Sequence, residues 1–375
     1  MRLATRQAHD ILSGSFQVEY EADLSYDGEV RAKNLPISAP SLSWDGSADV
    51  EGTGSCEVLW TDDHGTFLAP QDPTDWLTPF GAQLTIYCVI SAASFVERIP
   101  LGVFVITSVP KADDNPYRFG VTRINIGSRV QLQFADRMVE VQADRFTQLS
   151  QPSQRASVYT ELVALTGFQL TRTLPDAAIT RNVVYEESRI KAIQALAEIA
   201  GGIPFMESDG TLSLRTIAPG PVVTALSVGE TGTVVEVGAA LSRDQVYNGV
   251  VIRGETDEQQ AILAEKWITT GPLRATQPGQ PRTPFHRAPK FYSSPFITTQ
   301  AQAAAAVDGL LARYAGYTAS QLEITCVVNP LLQVGDVVTV KDRSENVWTV
   351  RLSKLSFGGG GTMRLTGDVI SRVRS

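Results

Sequence analysis

The residues best equipped for chemistry in this chain are Thr61-Asp62-Asp63-His64-Gly65, two carboxylates beside an imidazole. Such a set can exchange protons near neutral pH or form one face of a metal site. Its members are consecutive, however, and a working site needs groups converging from elsewhere. The other histidines, His9 and His286, have no Asp or Glu at ligand-like spacing, so 61–65 reads as a solvated turn. Asp113-Asp114 is read the same way. Cys56, Cys88 and Cys326 are odd in number, far apart and without a C-x-x-C pair. They indicate neither a zinc site nor a disulfide framework, and read as three buried thiols made in a reducing cytoplasm. Gly358-Gly359-Gly360-Gly361 lacks a following Lys-Ser or Lys-Thr and lies between strand patterns, so it reads as a hairpin tip and not a phosphate cradle. G-x-S-x-G elbows are absent, and no cysteine has a neighbouring His. No catalytic residue, cofactor site or metal ligand is predicted.

The elements that would carry these residues are mainly β. From Ser15 to about Val109, apolar and polar residues alternate in short runs such as Phe16-Gln17-Val18-Glu19-Tyr20 and Leu84-Thr85-Ile86-Tyr87-Cys88-Val89. Period two predicts antiparallel strands, with Asp27-Gly28 and Asp45-Gly46 as hairpin turns. Leu101 to Ile106 reads as a buried strand ending at Val109-Pro110, and Asp113-Asp114-Asn115-Pro116 as a turn before a strand over 117–126. Before all this, Ala4, Ala8 and Ile11 share a helical face, predicting a short amphipathic helix.

The pattern then becomes mixed. Val158, Leu162 and Leu165 form one helical face before Gly167, and Ile190, Ile193, Leu196 or Ala197, and Ala200 form another before Gly201. A hairpin follows, turning at Ser208-Asp209-Gly210. Later, Ala303, Ala304, Val307, Leu311 and Tyr314 repeat at helical spacing from the Thr298-Thr299 cap to Gly316. Pro330 restricts Asn329 to extended geometry, ending a strand over 322–328, and Gly335-Asp336 supplies the tight turn into Val337-Val338-Thr339-Val340. The reading is a mainly β, multidomain chain of antiparallel barrels or sandwiches with an α+β insertion and a few short helices. Residues 1–143 hold a helix and a first barrel, 144–235 the α+β module, and 236–375 a second barrel with a helix over 299–315.

Much of the proline lies in 270–297, where Arg274, Arg282, His286 and Arg287 surround Phe285 and Phe291. Two readings stand for this excursion: a partner-contacting arm built on Arg274, Arg282, Phe285, His286 and Arg287, or a loop folded over its own barrel. Trp44, Trp60, Trp76, Trp267 and Trp348 could form a sugar-binding platform, but their scatter along strand patterns favours core and rim positions.

Length and charge set further bounds. The 375 residues suit two or three domains, and 43% hydrophobic residues suffice for packed cores. A net charge of −8 argues against an outer surface that grips nucleic acid or anionic lipid. No stretch approaches eighteen apolar residues, so direct membrane insertion is not predicted. The first twelve residues lack the apolar core and cleavage site of a secretion signal.

One resemblance draws these parts together. The late helix, the Asn329-Pro330-Leu331 and Gly335-Asp336-Val337-Val338 corner, the strand Trp348 to Leu352 and the Met363-bearing strand resemble the closing segment of phage tail hub, or baseplate hub, proteins. Ser188 to Ala197 followed by Gly201, Phe205, Asp209 and Gly210 is similar to the same family. The opening barrel looks like that of small tail proteins of phages with actinobacterial hosts. The resemblance implies a minor tail protein of the virion, assembled in the host cytoplasm. It further implies a homotrimer whose two barrels per subunit form a pseudo-sixfold ring around the genome-ejection channel. The implied partners are tail tube, tape measure and tip or fibre proteins, with DNA passing unbound. Two other functions compete: a cell-wall hydrolase centred on Asp62, Asp63 and His64, and a receptor- or carbohydrate-binding module using tryptophans.

Overall fold

The computed structural model describes residues 1–61, 66–179, 183–230, 232–241, 246–254, 261–293, 299–314, 320–358 and 360–373. Helix α1 (Arg6–Ile11) precedes strands β1 (Gln17–Tyr26), β2 (Glu29–Asp45), β3 (Gly52–Trp60), β4 (Ala82–Ala92), β5 (Phe95–Phe119) and β6 (Thr122–Asp136). These six pair antiparallel in the circular order β1-β4-β5-β6-β3-β2 and back to β1, closing a barrel. Alternation explains the inward face: Ala82, Leu84, Ile86, Cys88 and Ile90 of β4 are fully buried, while the residues between them are partly exposed. Asp27 and Gly28 both have positive φ, 52° and 76°, the backbone a two-residue hairpin turn requires.

Strand β5 differs from the expectation. It runs unbroken through Asp113-Asp114-Asn115-Pro116, and the chain reverses at Gly120 instead. Pro110 and Pro116 are accommodated because the β5–β6 register shifts beside each of them. Proline has no N–H to give, and such shifts are where a strand tolerates the loss.

A second group comprises α2 (Met138–Ala143), α3 (Val158–Thr166), β7 (Leu170–Thr171), α4 (Arg189–Ile199), β8 (Gly202–Met206) and β9 (Leu212–Thr216). Both longer helices begin and end where their residues dictate. Ser157 and Ser188 accept hydrogen bonds from Thr160 N and Lys191 N, and Gly167 and Gly201 take φ of 69° and 74° just past the ends. Leu162, Ile193, Leu196 and Leu212 form a separate core. Inside it Glu161 is buried, accepting from Tyr185 Oη, Ser153 Oγ and Gln154 N, which ties down the loop before α3.

The chain then enters a second part of the same sheet through β10 (Val222–Ser227) and β11 (Val234–Leu241), and leaves it for β12 (Gly249–Gly254), β13 (Ala261–Trp267), β14 (Pro289–Ser293) and α5 (Gln300–Tyr314). It returns as β15 (Ser320–Val327), β16 (Val337–Lys341), β17 (Val347–Phe357) and β18 (Thr362–Val373). The order β10-β16-β17-β18-β15-β11 makes a curved six-stranded wall whose end strands, β10 and β11, do not pair with each other. The segment 144–235 thus includes β10, which pairs in parallel with β16 of this wall. Strands β13-β12-β14 form their own sheet, on which α5 packs through Ala303 and Val307 against Val250 and Ile252. The architecture is mainly β with short helices, as the periodicity predicts. Among the described residues no helix is long and apolar enough to cross a membrane.

Candidate functional site

The place where most of the chain's parts converge is the seam between the two barrels. Strand β17 pairs antiparallel with the end of β2, Leu355 opposite Trp44 and Phe357 opposite Leu42, so twelve strands make one hydrogen-bonded sheet. One apolar core runs through both barrels. Trp44 meets Phe357 edge-on at 5.6 Å and Phe104 at 5.9 Å, and Phe104 lies 5.2 Å from Phe134. This aromatic chain crosses from one barrel to the other.

Around it sits a set of charged residues. Arg2 is buried, with Nη1 donating to the carbonyls of Pro330 at 2.8 Å and Leu332 at 2.6 Å, and Nη2 to that of Leu101 at 3.3 Å. Its guanidinium stacks over Trp44 at 5.1 Å. Burial pulls the Arg2 pKa down to about 10, against the pull of Asp336, so it remains a cation at neutral pH. The Met1 nitrogen donates to Asp336 Oδ1 at 2.6 Å. Arg215, from β9, is paired in the interior with Glu51 and donates to Val334 O at 2.6 Å. Arg351, from β17, donates to the carbonyls of Thr216 and Ile217. The first barrel, the α+β group and the six-stranded wall therefore meet at Glu51, Arg215 and Val334. Nearby Glu207 has its carboxyl pushed up by burial and by Asp209.

The corner picked out in the sequence is the framework of this seam. Asn329 Oδ1 accepts from Leu331 N at 3.1 Å, and Leu332 N donates to Asn329 O, making a tight turn that contains Pro330. Pro330 and Leu332 present the carbonyls that hold Arg2. Asp336 Oδ2 accepts from Gln333 N at 2.8 Å, closing the second turn. Gly335 between them has φ of 90°, and a Cβ there would lie 2.7 Å from Arg215 Cδ, so both backbone and neighbour demand glycine. Arg2, Glu51 and Arg215 carry no mark in the sequence. Each is an isolated charge in an unremarkable context, and only the fold brings them together.

The 270–288 segment is tied to its own sheet. Buried Asn248 donates through Nδ2 to Leu273 O at 3.1 Å and His286 O at 2.8 Å, and its Oδ1 accepts from Ala288 N at 2.8 Å. Arg287 donates to Thr276 O and covers the Trp267 ring at 4.4 Å. Arg274 donates to Gly271 O; Arg274, Arg282 and His286 are exposed, and Phe285 is half-buried. The loop thus folds back while Arg274, Arg282, His286 and Arg287 stay exposed.

Asp62, Asp63 and His64 lie outside the described residues. Asp114 anchors a neighbouring loop, its Oδ1 accepting from Ser128 Oγ, Leu68 N and Ala69 N. Trp44 and Trp348 are buried, and Trp60, Trp76 and Trp267 are half-buried. The three cysteines are buried and unpaired, their thiols pushed up by burial to about 12. Among the described residues no three His, Cys, Asp or Glu side chains group as metal ligands.

No family model matches the chain, and no curated protein matches it in sequence. Solved structures do share its fold. The tail protein from Neisseria meningitidis MC58 superposes with a TM-score of 0.59 at 14% identity, covering 93% of this chain and 96% of that one. The 43 kDa tail protein of prophage MuSo2 from Shewanella oneidensis superposes with a TM-score of 0.57 at 13% identity, covering 93% and 98%. The chain therefore shares its fold with these tail proteins over nearly its whole length.

Proposed function

We propose that the protein is a structural component of a bacteriophage tail, acting as the hub between tail tube and tip. In this reading three copies close into a ring, and two barrels per subunit place six similar walls around a central channel. The observation that carries it is the fused pair of barrels: a continuous sheet, a shared core and the Arg2, Glu51, Arg215 and Asp336 lock fix one barrel against the other. A subunit that must present two equivalent faces to a sixfold tube needs such a rigid joint, and a closed cyclic ring leaves no unsatisfied interface. The fold shared with tail proteins supports the same assignment. The net charge of −8 suits a channel through which DNA passes without sticking. The partners are then tail tube, tape measure and tip or fibre proteins, and the site of action is the virion. The role is mechanical, not enzymatic.

Sedimentation of the purified protein across a concentration series tests this. The expected mass approaches three times the 40.5 kDa chain as concentration rises. A chain that stays monomeric throughout and cleaves cell-wall polymer would overturn the reading.

A further inference from the structure

The segment 267–293 is basic in a chain that is acidic. From Trp267 to Ser293 it carries Arg274, Arg282, Arg287 and Lys290 and no Asp or Glu, a charge of +4; the rest of the chain therefore carries −8 − 4 = −12. The fold gathers this charge. Asn248 Nδ2 holds the carbonyls of both Leu273 and His286, Thr276 N donates to His286 O at 3.2 Å, and the Thr276 and Thr283 hydroxyls share a hydrogen bond at 3.0 Å. The stretch bearing Arg274 therefore runs beside the stretch bearing Arg282 and Arg287, and all three arginines are exposed.

Beneath the loop two side-chain donors lack an acceptor. Trp267 Nε1 and Gln277 Nε2 are buried and have no hydrogen-bond partner among the described residues. They belong to one place, because Arg287 covers the Trp267 ring at 4.4 Å and donates to Thr276 O, next to Gln277. A buried N–H left unmade costs about 1–3 kcal/mol, and an incoming acceptor recovers it. Register sets the face around them. Gly249 and Val251 are two apart on β12; Trp267 stands opposite the first and Phe291 opposite the second, so both rings lie on the sheet face away from α5. Phe291 is 51% exposed and is stacked by Arg253 at 3.8 Å. Glu265, opposite Val251, is the one carboxylate that β12, β13 and β14 carry.

We infer that this face binds an acidic polypeptide segment of another protein. Its carboxylates are taken by Arg274, Arg282, Arg287, Trp267 Nε1 and Gln277 Nε2, and its apolar side chains rest on Phe291. A nucleic acid fits less well: its charge repeats along the whole strand and would run off the patch onto a remainder of net −12. A short run of Asp or Glu ends with the patch. The site goes beyond the hub reading and fails separately from the ring.

Fluorescence anisotropy with labelled hexaglutamate tests it, with hexaserine and hexathymidylate labelled alike for comparison. Wild type should bind hexaglutamate saturably, more weakly as salt is raised, and hexaserine not at all. The triple variant Arg274→Gln, Arg282→Gln, Arg287→Gln should weaken binding at least about tenfold. Trp267→Phe keeps a ring under Arg287 and removes the N–H, and should weaken it about threefold or more. Arg343→Gln, on the β16–β17 turn, should bind like wild type; circular dichroism and melting check that each variant folds. A wild type that ignores hexaglutamate, either arm variant binding it like wild type, or an equal loss in Arg343→Gln overturns the inference. So does tighter binding of hexathymidylate, which assigns the face to nucleic acid, or loss of self-association in the triple variant, which assigns it to a second copy. A wild type that binds the peptide but never assembles keeps this site and removes the ring.

Discussion

Replacing Arg215 by Met tests the joint where it is most exposed to failure. The side chains of Arg215 and Glu51 retain only 12% and 13% of their accessible surface, so the change leaves Glu51 buried without its partner. Removing one member of such a pair costs about 3–5 kcal/mol, because the remaining charge must stay desolvated. The loss also strips the donor from Val334 O, at 2.6 Å, part of that cost. With an unfolding entropy of about 2 cal/mol/K per residue, the 375-residue chain loses about 1.3 °C per kcal/mol, so the melting temperature should drop by about 4–6 °C. Changing Glu51 to Leu as well removes the stranded charge and should restore the part of the loss due to it, about 2 kcal/mol. What persists is about 1–3 kcal/mol for the unpaired Val334 carbonyl. The assay is calorimetry on wild type, both single variants and the double, read as a cycle. Single variants that melt like wild type, or losses that simply add in the double, would show that the pair does not lock the barrels.

Three further outcomes follow from the same geometry. Gly335→Ala should destabilise by about 1–3 kcal/mol, since it combines a φ of 90° with a 2.7 Å approach to Arg215; equal chemical melts of variant and wild type would contradict this. Asp136 accepts from Gly52 N at 2.5 Å and Met138 N at 2.9 Å, and burial pushes its pKa up to about 6. The folded state therefore holds this proton more tightly than the unfolded chain. Its contribution is complete below about pH 4 and is lost as pH rises toward 6, by at most about 3 kcal/mol. Subtracting the stability–pH curve of Asp136→Asn from that of wild type should expose that fall; a flat difference would refute it. Finally, Cys56, Cys88 and Cys326 should resist a thiol reagent in the native protein and react together on unfolding, and rapid labelling of the folded protein would contradict their burial.

The sequence shows where strands and helices lie more clearly than where they pair. Alternation locates β4, and the serine caps and glycine stops locate α3 and α4, because those signals are local. The 329–336 corner is legible for the same reason: Pro330 and Gly335 constrain their own backbones. The β5 strand is misread at Asp113-Asp114-Asn115-Pro116 because a turn composition there is overruled by pairing with β6. The joint is invisible beforehand. Arg2 and Leu332 are 330 positions apart, and Arg215 and Glu51 are 164 apart; no local pattern encodes such meetings. The excursion over 270–297 leaves two readings in the sequence, and buried Asn248 resolves how residues 270–288 are held.

The central claim is that two locked barrels per chain become six around a channel. Electron micrographs of the assembled protein, classified without imposed symmetry, test it directly. Threefold rings with six lobes of similar size surrounding a hole are the expected result. Images dominated by single compact particles, or by assemblies without a threefold axis, at concentrations where sedimentation detects association, would contradict it.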